Sequence, residues 1–244
     1  MAKKILAIVE GEKKEPELLE KLLSIYGLHN RKIVPYKANI YDLYDKLFAM
    51  YGDELENVDI QEFLKELSQD ESLIKILNER YTDILLIFDF DPQDNRYDEN
   101  KLARMLQFFS DSTQMGRLYI NYPMVESFYH FRSLEDESFL TECFSLSDVS
   151  PGAVYKKQVD DVSCIHGLRV LNKEKTARMI RLILAKIVAI CDGEPAANIC
   201  EALQAVANCQ MELLKRRESM WVLNTCVLYV YEYNPRMLEW LERR

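Results

Sequence analysis

Carboxylate side chains follow two apolar segments of the chain, each of which is typical of a buried strand. Residues 5–9 are followed by Glu10, and residues 84–88 are followed by Asp89 and Asp91. In an open parallel sheet, ligands bind beyond the carboxyl ends of the strands, and neighbouring strands lie about 4.8 Å apart. We therefore expect Glu10 to reach the same point as Asp89 and Asp91. Both aspartates point to one side if the strand stays extended through them.

Three carboxylates held this close repel one another strongly. They stay ionised at neutral pH only if a cation lies among them, and otherwise one of them takes up a proton. Mg²⁺ or Mn²⁺ fits this site because hard cations prefer oxygen ligands. Such a metal polarises a phosphoryl oxygen and activates a water molecule. The pattern therefore predicts a metal site formed by Glu10, Asp89 and Asp91, and phosphodiester chemistry as its function.

Three further acids lie close to these positions in the sequence. Glu12, Glu15 and Asp94 are near enough to supply a second metal or a general base. Acidic residues after strands are also common in turns and at the beginnings of helices. For Glu12 and Asp94 we favour that solvated or capping role.

A third apolar segment, residues 116–120, is followed by Asn121, Glu126 and His130. Glu126 and His130 are four residues apart, so on a helix they share one face. They either face the acidic cleft, where they bind a phosphate or position water, or they pair with each other at the surface after a turn at Asn121. The sequence leaves both interpretations open.

The segments that position these residues alternate between strand and helix. The predicted elements are strands over residues 3–9, 32–37, 83–88 and 116–120, a helix from near Pro16 to near Gly27, and helical patterns over residues 40–51, 58–80 and 98–110. The second strand belongs at a sheet edge, because Pro35 cannot donate to a central ladder. This alternation predicts an α/β fold with a mostly parallel sheet flanked by helices.

The second half of the chain has a different pattern. Residues 143–165 show few clear periodicities, and helical patterns follow over residues 173–192, 195–217 and 219–242. We therefore predict an α/β domain over residues 1–135 and a mainly helical C-terminal region over residues 136–244.

Composition and charge narrow the function classes. The chain has 244 residues and a formal net charge of −9. This charge disfavours a protein coated in nucleic acid or lying on an anionic membrane, but a nuclease remains compatible because a bound divalent metal changes the local sign. We expect no membrane span and no secretory signal. Six cysteines without a CxxC pair predict reduced thiols in the cytoplasm and no structural zinc site.

Basic residues cluster in two C-terminal helical patterns, where they are candidates for holding a phosphate backbone. These residues are Lys173, Lys175, Arg178, Arg181 and Lys186 in the first pattern and Lys215, Arg216 and Arg217 in the second. We favour the alternative that they form solvated helix faces or ion pairs within the helices.

Three segments together resemble a known family. The segment Val-Glu-Gly-Glu-Lys-Lys-Glu-Pro at residues 9–16 resembles the glutamate motif of the Toprim domain, above all in the form found in RloB-like proteins. Asp-Phe-Asp at residues 89–91 resembles the Toprim DxD motif. Residues 121–131 are similar to the RloB-type segment in which Asn-Pro is followed by a Glu and a His-Phe pair, with Tyr122 standing here between the Asn and the Pro. The resemblance covers residues 3–131.

The resemblance implies a Toprim fold and Mg²⁺-dependent cutting or rejoining of DNA or RNA. By motif, Glu10 would be the acid/base or metal-organising residue, and Asp89 and Asp91 the metal ligands. Glu15 matches the second acidic position of the RloB-type motif, and Glu126 is a candidate for the same cluster. Hydrolysis is preferred to rejoining, because no tyrosine of a topoisomerase module is identifiable.

The same resemblance implies partners. Related domains act in prokaryotic phage defence, often beside an ABC-type ATPase similar to the OLD family. We therefore expect a nucleic acid substrate and an ATPase partner, with a homo-oligomer left open. The candidate substrate-binding residues are Lys13, Lys14, Asn121, Glu126 and His130.

Two other functions remain open. Phe-Asp-Phe-Asp at residues 88–91 looks like the nucleophile motif of haloacid-dehalogenase-type phosphatases, in which the first aspartate, here Asp89, attacks phosphorus. In that family the motif usually opens the chain, and Gln93 stands here where a Thr or Val is expected. The second alternative is a non-catalytic interaction protein with a Toprim shape.

Overall fold

A computed structural model describes residues 3–55, 58–149, 153–191 and 198–242 of the chain. Its strands are β1 (Ile5–Val9), β2 (Arg31–Pro35), β3 (Asp83–Asp89), β4 (Ser110–Asp111), β5 (Gly116–Tyr122), β6 (Cys143–Ser145), β7 (Ser219–Trp221) and β8 (Leu223–Asn224). The central sheet has the order β2-β1-β3-β5-β4, and β8 also pairs with β5. The first four strands of this order are parallel, whereas β4 and β8 run antiparallel to β5.

Helices flank this sheet. The α-helices are α1 (Lys14–Ile25), α2 (Ile40–Tyr51), α3 (Ile60–Leu67), α4 (Glu71–Leu77), α5 (Glu99–Phe108), α6 (Leu146–Val149), α7 (Ala153–Val162), α8 (Lys173–Ile190), α9 (Ile199–Arg217), α10 (Leu228–Tyr233) and α11 (Glu239–Glu242). A 3-10 helix over Val125–Tyr129 follows β5. Within the described residues, no helix is both long enough and apolar enough to cross a membrane.

The sheet is centred on strands that are buried on both faces. Every residue of β1 is buried, and so is every residue of β3 before Asp89. This is the pattern of parallel strands covered by helices on both sides. In register, Val9 lies opposite Ile87, and Asp89 lies opposite Asn121. The carboxyl ends of β1, β3 and β5 therefore meet at one end of the sheet.

Most predicted elements of the first half are confirmed. The fold is α/β with a mostly parallel sheet, and β2 lies at the sheet edge, as Pro35 predicts. The single helical pattern predicted over residues 58–80 is instead two helices, α3 and α4. The second begins at Asp70, whose side chain accepts hydrogen bonds from the backbone N–H groups of Ser72 and Leu73. Such N-capping starts a new helix where a continuous apolar pattern does not reveal a break.

The helix predicted over residues 219–242 is wrong in its first part. Residues 219–224 form β7 and β8, and β8 joins the central sheet. The hydroxyl of Thr225 donates to the carbonyl of Ile120 and accepts from its N–H, both at 2.8 Å. Pairing with a distant strand thus overrides a local apolar pattern that fits a helix. The predicted helices over 173–192 and 195–217 correspond to α8 and α9, apart from residues 192 and 195–197, which lie outside the described residues. The predicted domain boundary stays a prediction.

Candidate active site

Glu10 and Asp89 are held side by side where β1 and β3 end. The backbone N–H of Glu10 donates to the carbonyl of Ile87 at 3.0 Å, which continues the β1–β3 ladder by one residue. The side chain of Glu10 then turns toward β3, where Oε2 accepts the backbone N–H of Asp89 at 3.0 Å. The two carboxyl-bearing residues that the sequence places on different strands are therefore neighbours.

Burial and like charge act on both groups. Burial, followed by the nearby carboxylates of Asp91, Glu15 and Asp94, raises the pKa of Glu10 to about 8, although the hydrogen bond from Asp89 opposes the shift. Burial and the charges of Glu10, Glu15 and Asp91 likewise raise the pKa of Asp89 well above its usual range. The site thus brings acidic groups together where their ionised forms are poorly solvated, so each tends to keep its proton in the absence of a cation.

Asn121 fixes the position of Asp89 from the next strand. Its side-chain amide donates to Asp89 Oδ1 at 3.1 Å. Its own Oδ1 accepts from the amide of Asn224 on β8 at 2.8 Å, and Asn224 Oδ1 in turn lies 3.0 Å from the Sγ of Cys226. These contacts orient the amide of Asn121 so that its NH₂ group faces the aspartate. The C-terminal part of the chain therefore helps to build the site.

Asp91 does not continue the extended strand. β3 ends at Asp89, and Asp91 has a φ of 40°, in the left-handed region. The backbone N–H of Phe90 donates to the carbonyls of Asn121 and Pro123, and its own carbonyl accepts from Tyr41 Oη at 2.6 Å. The premise that Asp89 and Asp91 alternate along one straight strand is therefore wrong.

Asp91 nevertheless belongs to the same electrostatic cluster. Burial and the charge of Asp94 raise the pKa of Asp91, whereas the ammonium of Lys156 opposes the shift. Its carboxylate charge also contributes to the raised pKa of both Glu10 and Asp89. Turn geometry, rather than strand alternation, brings this side chain within electrostatic range of the other two.

Glu15 lies close to Gly11, the residue that follows Glu10. A Cβ atom at Gly11 would stand 2.5 Å from Glu15 Oε2, so only glycine permits this approach without displacing the carboxylate. Glu15 is buried, and burial together with the charge of Glu126 raises its pKa, against the opposing effects of Lys14 and Lys156. Glu15 thus extends the acidic cluster toward α1.

Glu126 and His130 do not pair with each other. They lie on and just after a 3-10 helix, which has three residues per turn, so positions four apart do not share a face. Glu126 Oε1 instead accepts from Lys14 Nζ at 2.5 Å and lies 3.5 Å from Lys156 Nζ. Both residues are buried, so the surface pair that the sequence left open is wrong.

His130 lies in a separate buried polar group. Its Nδ1 is 3.1 Å from Tyr155 Oη, and its Nε2 is 3.8 Å from Glu142 Oε2. Burial lowers the pKa of His130 to about 4, so the imidazole is neutral at physiological pH. The contacts with Tyr155 and Glu142 place His130 apart from the acidic cluster, and the lowered pKa disfavours a positive charge on its ring.

The remaining candidates lie at the surface. Lys13 is exposed just before α1. Glu12 forms an exposed ion pair with Lys37 at 2.6 Å. Asp94 accepts from Asn39 and Arg96, and these contacts, Arg96 first, hold its pKa well below its usual range. Glu12 is therefore solvated, as we favoured, whereas the Asp94 side chain is only 17% exposed and is bound by Asn39 and Arg96 within the fold.

Four of the C-terminal basic residues contact other groups of the fold. Arg178 pairs with Glu174 one helical turn away, Lys215 pairs with Glu99, and Arg216 pairs with Glu212. The side chain of Lys186 is buried and donates to the carbonyls of Phe139 and Glu142. The pairs Arg178–Glu174 and Arg216–Glu212 lie within one helix, as we favoured, whereas Lys215 pairs with a different helix and Lys186 is buried, which the sequence did not predict.

Sequence reasoning missed three residues that shape the site. Lys156 contacts Glu126 and acts on Asp91 and Glu15, but it lies in the segment 143–165, which shows no clear pattern. Tyr155 precedes it on α7 and contacts His130. Asn224 falls within a pattern that indicates a helix. None of the three carries a local signal, because each is brought to the site by a distant part of the fold.

A groove of about 550 Å³ opens beside the cluster. Lys14, Glu126 and Tyr129 line it, and Val159, Asp160, Ser163 and residues 165–169 line much of the rest. This volume is in the range of small-ligand sites, about 300–1,000 Å³. The groove therefore gives a solvent-accessible approach to the lysine-bound carboxylate of Glu126.

The carboxylate oxygens of the cluster are the donors that a hard divalent cation prefers, and their raised pKa values show that no positive group of the fold offsets their charges fully. Among the residues that the structure describes, however, no three acidic, histidine or cysteine side chains are arranged so that they could hold a metal as they stand. A metal ion would therefore require carboxylate side chains of the cluster to reorient.

Comparisons of the chain with family models, with curated proteins and with solved structures found no match. The Toprim and RloB-like resemblance therefore rests on the three sequence segments alone.

Proposed function

We propose that the protein is a divalent-metal-dependent nuclease that hydrolyses phosphodiester bonds at the cluster formed by Glu10, Asp89 and Asp91. The observation that carries this proposal is the meeting of Glu10 and Asp89 from two strands, with both pKa values raised by burial and by neighbouring carboxylates. Strongly perturbed groups in a cleft mark candidate functional sites. A bound cation would reduce the electrostatic repulsion among these carboxylates.

Mg²⁺ or Mn²⁺, when bound, would polarise the phosphoryl oxygen and lower the pKa of a water molecule. Glu10, Asp89 and Asp91 are the residues that would hold it. Asn121 holds the carboxylate of Asp89 by a hydrogen bond, and the backbone N–H of Asp89 holds that of Glu10. Glu15 is our candidate for the group that would accept a proton from the attacking water, because its buried carboxylate lies against Gly11, the residue that follows Glu10, and burial raises its pKa.

The direct test is cleavage of labelled single- and double-stranded DNA and RNA by the purified protein with Mg²⁺ or Mn²⁺. We expect Glu10→Gln and Asp89→Asn to lower the cleavage rate by about 100-fold or more, the scale seen when a group that stabilises the transition state is removed. Glu12→Gln is the matched control, because Glu12 is the exposed acid two residues from Glu10. Equal rates for wild type and Glu10→Gln would remove Glu10 from the mechanism.

The cellular role is proposed from the sequence resemblance. We propose that the nuclease is the effector of a prokaryotic defence system and works with an ABC-type ATPase. Co-purification of the protein with an ATPase encoded beside it, and cleavage that depends on both, would support this role. The phosphatase and the non-catalytic alternatives stay predictions, and trapping an acyl-phosphate on Asp89 would favour the first of them.

A further inference from the structure

The buried carboxylate of Glu126, near the cluster, is in contact with two lysine ammonium groups. Glu126 is only 5% exposed, and its Oε1 lies 2.5 Å from Lys14 Nζ and 3.5 Å from Lys156 Nζ. The two lysine side chains are about half exposed, at 56% and 50%. A buried carboxylate is therefore in contact with two partly exposed ammonium groups, of which Lys14 also lines the groove.

The lysine pair lies next to the proposed catalytic cluster. The charge of Lys156 acts on Asp91 and on Glu15, and that of Lys14 acts on Glu15. Because both amines contact one carboxylate oxygen, they are close enough for a single phosphate group to bridge them. An anion bound there would stand beside the carboxylates that would hold a metal.

Several basic residues elsewhere in the described part of the chain already pair with acids. The net charge of the chain is −9, and the basic residues of α8 and α9 that pair with Glu174, Glu99 and Glu212 lie in other contacts. Binding of a polyanion needs local cations. Lys14 and Lys156 supply two of them at the cluster itself.

We propose that Lys14 and Lys156 form the phosphate-binding pair for the substrate strand, and that Glu126 is a resident anion which a phosphodiester must displace from them. This inference rests on the proposed nuclease function and names the substrate contact of the same site. It reverses the role expected for Glu126 from the sequence, because Glu126 here competes with the substrate and does not bind it.

The two roles of Glu126 predict opposite results for an isosteric change. Glu126→Gln removes the competing charge and frees both amines, so we expect affinity for a nucleic acid strand to rise about three- to ten-fold. Lys156→Met removes one phosphate contact. It should weaken binding by a similar factor and lower the salt dependence of binding by about one unit of slope. Lys156→Arg should restore binding, because the charge is kept.

Binding is measured by fluorescence anisotropy with short single-stranded DNA and RNA oligonucleotides, in EDTA and again with Ca²⁺, over a series of salt concentrations. The two oligonucleotides distinguish the source of the phosphodiester. Lys157→Met is the matched control, because Lys157 is an exposed lysine on the same helix. We expect it to bind as wild type does.

Several results would overturn the proposal. These are weaker or unchanged binding by Glu126→Gln, equal losses from Lys156→Met and Lys157→Met, and failure of wild type to bind either oligonucleotide. If Glu126→Gln does not fold, the proposal is tested instead by chemical acetylation of lysines in the wild-type protein, with and without bound oligonucleotide. Bound oligonucleotide should protect Lys14 and Lys156 together but not Lys157, and absence of that protection contradicts the inference.

Failure of the inference and failure of the proposed function are distinguishable. If the variants bind nucleic acid with the predicted relative affinities but no metal condition gives cleavage, the phosphate-binding pair is supported and the nuclease function is rejected. If cleavage depends on metal and on Glu10, but Lys156→Met and Glu126→Gln do not change binding, the nuclease function is supported. The role of Glu126 as a resident anion is then rejected.

Discussion

The two ends of strand β3 carry the same residue type in opposite surroundings. Asp83 begins the strand and is 1% exposed. Its Oδ1 accepts from Lys3 Nζ at 2.6 Å, and its Oδ2 accepts from Thr82 Oγ1 at 2.7 Å. Asp89 ends the strand, where a neutral amide donates to it and Glu10 lies against its backbone.

The comparison separates structural acids from candidate functional ones. A buried carboxylate that serves the fold is paired with a cation or satisfied by hydroxyl groups, as Asp83 is. Asp89 instead has carboxylates for neighbours, and burial followed by these charges raises its pKa. A fold that keeps such a group retains a repulsion that a paired acid would avoid. Uncompensated charge at the carboxyl end of a parallel sheet is therefore the better indicator of function.

The largest expected effect tests this separation directly. Asp89→Asn should lower the rate of metal-dependent cleavage by about 100-fold or more with little loss of stability, since it removes repulsion. Asp83→Asn should leave the rate unchanged and cost about 1–3 kcal/mol of folding free energy, because it breaks an ion pair with a buried partner. Cleavage kinetics and urea unfolding of both variants measure the two effects. Similar effects from both substitutions would contradict the distinction between a structural Asp83 and a functional Asp89.

We expect a divalent metal ion to bind at the Asp89 end of β3 and not at the Asp83 end. We expect Mg²⁺ or Mn²⁺ to stabilise the wild type by about 2.7 kcal/mol at a concentration 100 times the Kd. Asp89→Asn should lose most of this gain, whereas Asp83→Asn should keep it. Thermal unfolding with and without metal provides the measurement. A metal-induced shift that is equal in the two variants would place the ion elsewhere.

We expect the ionisation of Glu10 to change the free energy of unfolding with pH. Its pKa is raised from 4.5 to about 8 on folding, so the folded state binds more protons between these values. Without metal, the wild type should therefore lose stability as the pH rises from 4.5 to 8. Glu10→Gln should match the wild type at pH 4.5 and exceed it by about 1–3 kcal/mol above pH 8, after allowing for solvent screening.

Urea unfolding of wild type and Glu10→Gln across this pH range gives the required difference curve. Glu12→Gln is the control, because Glu12 is exposed and paired with Lys37. A difference curve that is flat with pH would show that burial and repulsion do not act on Glu10.

Much of this arrangement could be predicted from the sequence because it depends on local patterns. The apolar runs of β1 and β3 identify central parallel strands, and the acids that follow them mark one end of the sheet. The contacts of Lys156 and Asn224 could not be predicted, since they depend on how α7 and β8 pack against residues far away in the chain. Asp91 was placed correctly near the cluster for the wrong reason, because a turn and not an extended strand brings it there.

The smallest expected effect concerns the cation that neutralises Asp83. Lys3 keeps 35% of its side chain exposed, and partly exposed ion pairs contribute about 1 kcal/mol or less. Lys3→Met should therefore destabilise the fold by about that amount, and adding Asp83→Asn should cost less than it does alone, since the two residues are in contact. A double-mutant cycle by urea unfolding measures this coupling. Coupling near zero would mean that the hydroxyl of Thr82, rather than Lys3, keeps Asp83 buried, and the two ends of β3 would then differ in hydrogen bonding more than in charge.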